Sequence, residues 1–314
     1  MFYFILEPIM MYNWILILSA VIPAVFLMIK VYRADRMEKE SGYLLRQLVI
    51  AGILSTIIAL IEEKIGEWIL SYFVPGNTLL YQIILYFVIV AIAEESSKYF
   101  FLKKRTWNNP EFNCQYDGVV YAVFVSLGFA LWENINYVLS YGFSTAIVRA
   151  ITAIPGHACF GVFMGVFYGL ARKQYNRGKM FSSKIFRIFS IVVPVLLHGS
   201  YDFIASMENT MGSLYFVAFI IILFALSFGL VNISSKNDKY IRYRKHSDFL
   251  YCYYIFIGKH FTFQCINCCS CYIINRSCIR FCHICSISSN IFISQIIGRK
   301  ICISVPFNGV YFIY

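Results

Sequence analysis

Through the first 231 residues the apolar positions fall into long runs separated by short polar stretches. Seven runs can be drawn, over residues 14–29, 48–61, 79–101, 118–141, 144–170, 185–205 and 214–231. Crossing ~30 Å of hydrocarbon takes about 20 helical residues, a length the runs meet, with 48–61 borrowing from its flanks. The pattern therefore predicts an all-α polytopic membrane helix bundle with about seven transmembrane helices. Run 14–29 has no basic residue ahead of it and no small-residue cleavage site, which favours a retained helix over a removed signal peptide.

The loops orient the bundle. Stretches 30–46, 103–117, 172–187 and 234–246 carry 5, 3, 6 and 5 Lys or Arg, whereas 62–78, 142–149 and 206–213 carry one, one and none. By the positive-inside rule the N-terminus is outside and the end of the seventh helix is cytoplasmic. The chain is 60% hydrophobic and only 14% charged, which excludes an ordinary soluble domain. Its net charge of +11 lies in these short loops, so the expected partner is the lipid bilayer with its headgroups, and not nucleic acid.

Against this background the polar residues inside the runs stand out, because an ionisable side chain at bilayer depth costs at least ~2.5–3.5 kcal/mol and is normally kept for function. Glu94, Glu95 and Lys98 close the third run. Glu94 and Lys98 are one turn apart and can pair, while Glu95 is expected to point about 100° away from both. The fourth run carries Phe129, Glu133 and Asn134. The fifth carries His157, with Gly161, Gly165 and Gly169 following at intervals of four as a helix-packing seam, so that His157 faces the bundle. In the sixth, His198 and Asp202 share a face, the carboxylate fixing the imidazole tautomer. Pro155 and Pro194 are expected to open their helices just ahead of the two histidines. Counted at ~1.5 Å per residue from the cytoplasmic ends, Glu94 and His198 lie ~14–16 Å deep and Glu133, His157 and Asp202 ~21–22 Å deep. A second acidic cluster, Glu62, Glu63 and Glu67, could compete with the first for the chemistry, but reads better as an interfacial turn anchored by Trp68 and Tyr72 and followed by Pro75 and Gly76.

Taken in order, Glu94-Glu95-x-x-Lys98, Phe129-x-x-x-Glu133-Asn134, His157 and His198-x-x-x-Asp202 resemble the motifs of the PrsW family of intramembrane proteases, over roughly residues 14–231. The family is related to the CAAX prenyl endopeptidases and bacteriocin-processing membrane proteases. The resemblance implies hydrolysis of a peptide bond in a membrane-anchored protein, such as an anti-sigma factor or a peptide precursor, in a bacterial cytoplasmic membrane. The residues agree with it. A water between a carboxylate and an imidazole can be deprotonated by Glu94, with Glu95 the other candidate base, while His157 or His198 polarises the carbonyl. Lys98 tunes the Glu pair, Asp202 orients His198, and Glu133 with Asn134 completes the water or substrate site. A Zn2+ ion on His157, His198 and Glu94 is left open, since Glu plus two His also makes an open tetrahedral site. The alternative class is a proton-coupled transporter or channel, which also needs buried carboxylates and histidines, but no inverted repeat of two similar halves is visible.

All 16 acidic residues lie at or before Asp248, and nine of the eleven cysteines at or after Cys252. Residues 1–248 are thus expected to form the protease domain and 249–314 a Cys-rich tail. Cys265, Cys268, Cys269 and Cys271, then Cys278, Cys282, His283 and Cys285, have spacings compatible with a zinc or iron–sulfur site. The absence of acidic residues, helix caps and clean periodicity favours a non-native or dispensable extension.

Overall fold

The computed structural model describes residues 2–207 and 209–241, with side chains from Met11 onward, and the backbone of six short strands in the tail. Nine α-helices are described: α1 Phe2–Ala34, α2 Gly42–Phe73, α3 Leu79–Ile83, α4 Ala91–Thr106, α5 Asp117–Tyr141, α6 Phe143–Ile151, α7 Ala153–Asn176, α8 Met180–Ala205 and α9 Thr210–Lys236. A π-helical segment, Ile84–Val90, joins α3 to α4. Together these make seven spans long and apolar enough to cross a membrane, in the order the hydropathy runs predict. The chain divides into two units, Met1–Arg244 and Lys245–Tyr314. In the second, three antiparallel hairpins pair Cys252–Ile257 with His260–Cys265, Ile293–Ile296 with Lys300–Ile303, and Pro306–Phe307 with Val310–Tyr311.

The helices begin where polar side chains can satisfy free backbone N–H groups. Ser41 accepts from Leu44 N, Thr78 from Tyr81 N and Asn209 from Gly212 N. Gly142, at φ +84°, turns the chain between α5 and α6, a conformation that side chains with a Cβ rarely adopt.

Helix α5 lies at the centre. In its most apolar stretch 78% of residues are buried, against 11% in α9, which faces outward. Close approach of α7 to α5 depends on the glycine seam: a Cβ at Gly165 would meet Val119 Cα at 2.4 Å, and one at Gly169 would meet Gln115 O at 2.2 Å. On the other side of α5, Gly128 and Gly52 allow the same contact with α2. A Cβ at Gly128 would lie 2.4 Å from Val49 O.

Three expectations need correction. Helix α2 does not end in a turn near Glu62; it runs to Phe73, and Glu62, Glu63 and Glu67 lie on it. The fifth run is broken at Thr152 into α6 and α7, and Pro155 falls in the first turn of α7, where its missing N–H has no intrahelical partner to lose. Pro194 sits inside α8, which remains one helix from Met180 to Ala205.

Candidate active site

The π segment prepares the site. Its wide turn takes Ala91 N–H to Tyr86 O, five residues back, which shifts the helical register just ahead of Glu94. Gly199 lets α8 close onto this segment: a Cβ there would lie 2.5 Å from Phe87 Cδ1 and 3.0 Å from Phe87 Cα. The next residue back on α8 is His198, and its Nδ1 stands 3.0 Å from Glu95 Oε1.

Lys98 holds the carboxylates together. Its Nζ, fully buried, donates to Glu94 Oε2 at 3.0 Å and Glu95 Oε1 at 2.7 Å, and lies 3.2 Å from His157 Nδ1. It also sits over the Phe129 ring, 3.9 Å from the centroid, adding a cation–π contact. Glu95 was expected to point away from Lys98 and does not. Three residues turn a helix through about 300°, so positions i and i+3 are only about 60° apart.

Donor and acceptor roles assign the imidazole protons. An ammonium only donates, so His157 Nδ1 is the acceptor, and Nε2 carries the proton toward Glu133 Oε2 at 2.9 Å. His198 lies between two carboxylates, Glu95 at Nδ1 and Asp202 Oδ2 at 3.3 Å from Nε2, so both nitrogens donate, which is the imidazolium form. Phe160 stacks on this ring, with centroids 4.8 Å apart, and the two imidazole centroids are 5.3 Å apart. The two depth layers expected from the helical rise thus meet through His157, which touches Lys98 on one side and Glu133 on the other.

The chain matches, over residues 40–227, the family described as PrsW family intramembrane metalloprotease. It belongs to that family. Among its relatives, Protease PrsW of Clostridioides difficile (strain 630) is 29% identical over 235 residues, covering 73% of this chain and 93% of the relative. Protease PrsW of Bacillus subtilis (strain 168) is 34% identical over 195 residues, 60% of this chain and 82% of the relative. Protease PrsW of Shouchella clausii (strain KSM-K16) is 30% identical over 212 residues, 68% and 93%. No solved structure matches. The protein is a peptidase and a multi-pass bacterial membrane protein. The transporter alternative finds no support in these comparisons.

The family's description raises the question of a metal. One ligand atom each from Glu94, Glu95, His157 and His198 lies within 4.8 Å of the others, a donor set of the chemistry that zinc takes. In this PrsW-family site, however, the buried Lys98 ammonium already bonds three of the four, and each imidazole nitrogen faces a hydrogen-bonding or charged partner. As arranged, these residues hold an ammonium, and a zinc ion on them requires Lys98 to withdraw.

Two further residues stand at this cluster that the sequence reading did not place there. Arg149, counted as a loop charge, sits on α6 with Nη2 3.0 Å from Glu133 Oε1 and Nε 2.9 Å from Asn134 Oδ1. Buried Asn134 in turn donates to Ala20 O at 3.4 Å, tying α1 to the site. The available signal was a single Arg inside an apolar run. Half-buried Glu63 on α2 is close enough to interact electrostatically with Glu94, Glu133, His198 and Lys98. Its neighbours Lys64 and Glu67 form an exposed pair at 3.0 Å. The cysteine groups of the tail and His283 lie outside the described residues, apart from the backbone of Cys265.

Proposed function

We propose that this cluster hydrolyses a peptide bond of a membrane-anchored protein through a water activated by Glu94. What carries the reading is the pair of buried glutamates bridged by Lys98, with His198 3.0 Å from one of them. Glu95 is fully enclosed and shares Oε1 between Lys98 and His198, which suits an anchor. Glu94 is slightly exposed and uses only Oε2 in these pairs, leaving Oε1 to take the proton of a water. The hydroxide forms a C–O bond at the scissile carbonyl, and the positive charge of the nearby His198 imidazolium stabilises the oxyanion. Glu94 then returns the proton to the amine nitrogen as the C–N bond breaks. Asp202 orients His198. Lys98 sets its positive charge beside Glu94, and His157 links Lys98 to Glu133.

A cavity of about 550 Å3 between α2 and α5 is lined by Thr56, Leu60, Trp132, Glu133 and Tyr137. Its apolar walls and single carboxylate suit an unwound segment of a single-span substrate, with an anti-sigma factor or a peptide precursor as the class the family resemblance implies. The loop charges favour an outside N-terminus. All residues of the proposed site precede residue 203, which makes residues 249–314 dispensable for catalysis.

A second reading, zinc-assisted hydrolysis, is favoured by the four-ligand cluster and requires Lys98 to withdraw. The test is cleavage of a library of single-span peptides in liposomes by wild type, Glu94→Gln, Glu95→Gln, His157→Ala and His198→Ala, with and without a zinc chelator. General-base loss should slow Glu94→Gln by about 10²–10⁴-fold. Variants that cut as fast as wild type would overturn the reading. Loss of cleavage on chelation, restored by zinc, would replace the bare-glutamate route by the metal one.

A further inference from the structure

A second group of carboxylates lies away from this site, where the α1–α2 connection, the α4–α5 loop and the segment after α9 meet. Asp35, Glu40, Asp117 and Asp238 are all buried, at 4%, 5%, 0% and 8% exposure. Each commits one oxygen to the protein. Asp35 Oδ1 accepts from Met37 N at 3.2 Å, Glu40 Oε2 from the Tyr121 hydroxyl at 2.7 Å, and Asp238 Oδ1 from Tyr116 N at 2.9 Å. Asp117 Oδ2 accepts from Asn113 N at 2.9 Å and Cys114 N at 2.6 Å.

The second oxygen of each, Asp35 Oδ2, Glu40 Oε1, Asp117 Oδ1 and Asp238 Oδ2, is buried with no hydrogen-bond partner among the described residues, as is Asn113 Oδ1. None of the four carboxylates forms an ion pair among the described residues. Lys39, beside them, turns its ammonium to the backbone carbonyls of Tyr32 and Asp35. Unpaired buried charge is normally resolved by a counter-ion.

We propose that these carboxylates form a binding site for a hard divalent cation of the Ca2+ or Mg2+ class, which clips together three connecting segments of the bundle. One oxygen each from Asp35, Glu40 and Asp117 lies within 4.8 Å of the other two. Two oxygens on opposite sides of a Ca2+ ion, each ~2.4 Å from it, are ~4.8 Å apart, so the three oxygens are gathered to about the span that one ion bridges. Asp117 also belongs to a second triad with Cys114 and Asp238, and Asp238 brings the end of α9 to the same place. The backbone follows: Ile241 N donates to Asn113 O at 2.6 Å. The donors are oxygen-rich, which favours the hard cations over zinc. This site is independent of the catalytic reading.

The full-length protein in detergent, stripped with EDTA, is titrated calorimetrically with CaCl2 and with MgCl2, and its melting temperature is read with and without the ion. The expected result is one ion per chain and a rise in melting temperature of about 5 °C at saturation. Glu40→Gln and Asp117→Asn should weaken binding at least about tenfold, by removing a charged ligand. Glu40→Gln should also melt higher than wild type in ion-free buffer, since it removes one of the repelling charges. Should Asp117→Asn fail to fold, Asp35→Asn replaces it. Glu94→Gln should bind the ion as wild type does. Absence of saturable binding by either ion, binding unchanged in the cluster variants, or binding lost in Glu94→Gln would overturn the site. In the first case a proton shared between carboxyls becomes the explanation.

Discussion

Two groups of buried carboxylates in one chain are handled in opposite ways. In the proposed catalytic cluster, Glu94, Glu95, Glu133 and Asp202 are matched within the protein by Lys98, Arg149 and His198. In the cluster of Asp35, Glu40, Asp117 and Asp238, backbone amides and a tyrosine hydroxyl take half the oxygens, and among the described residues no cationic side chain takes the rest. The difference follows from what each place must hold. A site that meets a neutral peptide bond has to be charge-balanced before substrate arrives, because buried unpaired charge costs several kcal/mol. A junction of connecting segments can leave that balance to an ion from solution.

The sharpest way to break the comparison is to make the first cluster resemble the second. Lys98→Met leaves Glu94 and Glu95 buried without their ammonium and should cost about 3–5 kcal/mol of stability, read as a lower unfolding temperature in detergent, together with loss of cleavage. Arg149→Gln removes the outer partner of Glu133 and should slow cleavage by about 10–100-fold in a folded protein, with partial recovery in Arg149→Lys. An equal loss of folded protein in both would mean that Arg149 serves packing alone.

Smaller effects are expected where charge is not involved. Gly165→Ala forces a methyl group against Val119 Cα and should destabilise the α5–α7 contact by about 1–3 kcal/mol, measurable by thermal unfolding. Ending the chain at residue 248 should leave the cleavage rate unchanged and shift stability by less than about 0.5 kcal/mol, as for changes away from the core. A strong loss of activity there would give the tail a role in catalysis.

Much of the site was legible because its members break a local rule. Glu94, Lys98, Glu133, His157, His198 and Asp202 announce themselves as polar residues in apolar runs, and the glycines every four residues after His157 mark its packing face. Arg149 and Glu63 were read as belonging to loops because both lie near the ends of apolar runs, where a charge is ordinary. Nothing in Ile84–Val90 distinguishes a π segment from an α-helix. Asp35, Glu40, Asp117 and Asp238 looked like solvated loop residues, since each has polar neighbours in sequence.

The sequence by itself therefore determined the seven spans and most of the polar residues that gather between them. Hydropathy is a sum over neighbours along the chain, and a charge inside such a sum is visible wherever it falls. Only the tertiary structure decided which charges meet: that Lys98 bridges both glutamates, that His198 stands between Glu95 and Asp202, and that four carboxylates at the helix connections converge with no ion-pair partner among the described residues. Those pairings depend on helix rotation and crossing, which the close approach at Gly128, Gly165 and Gly199 sets. Electrostatic energy depends on distance in space and not on separation along the chain.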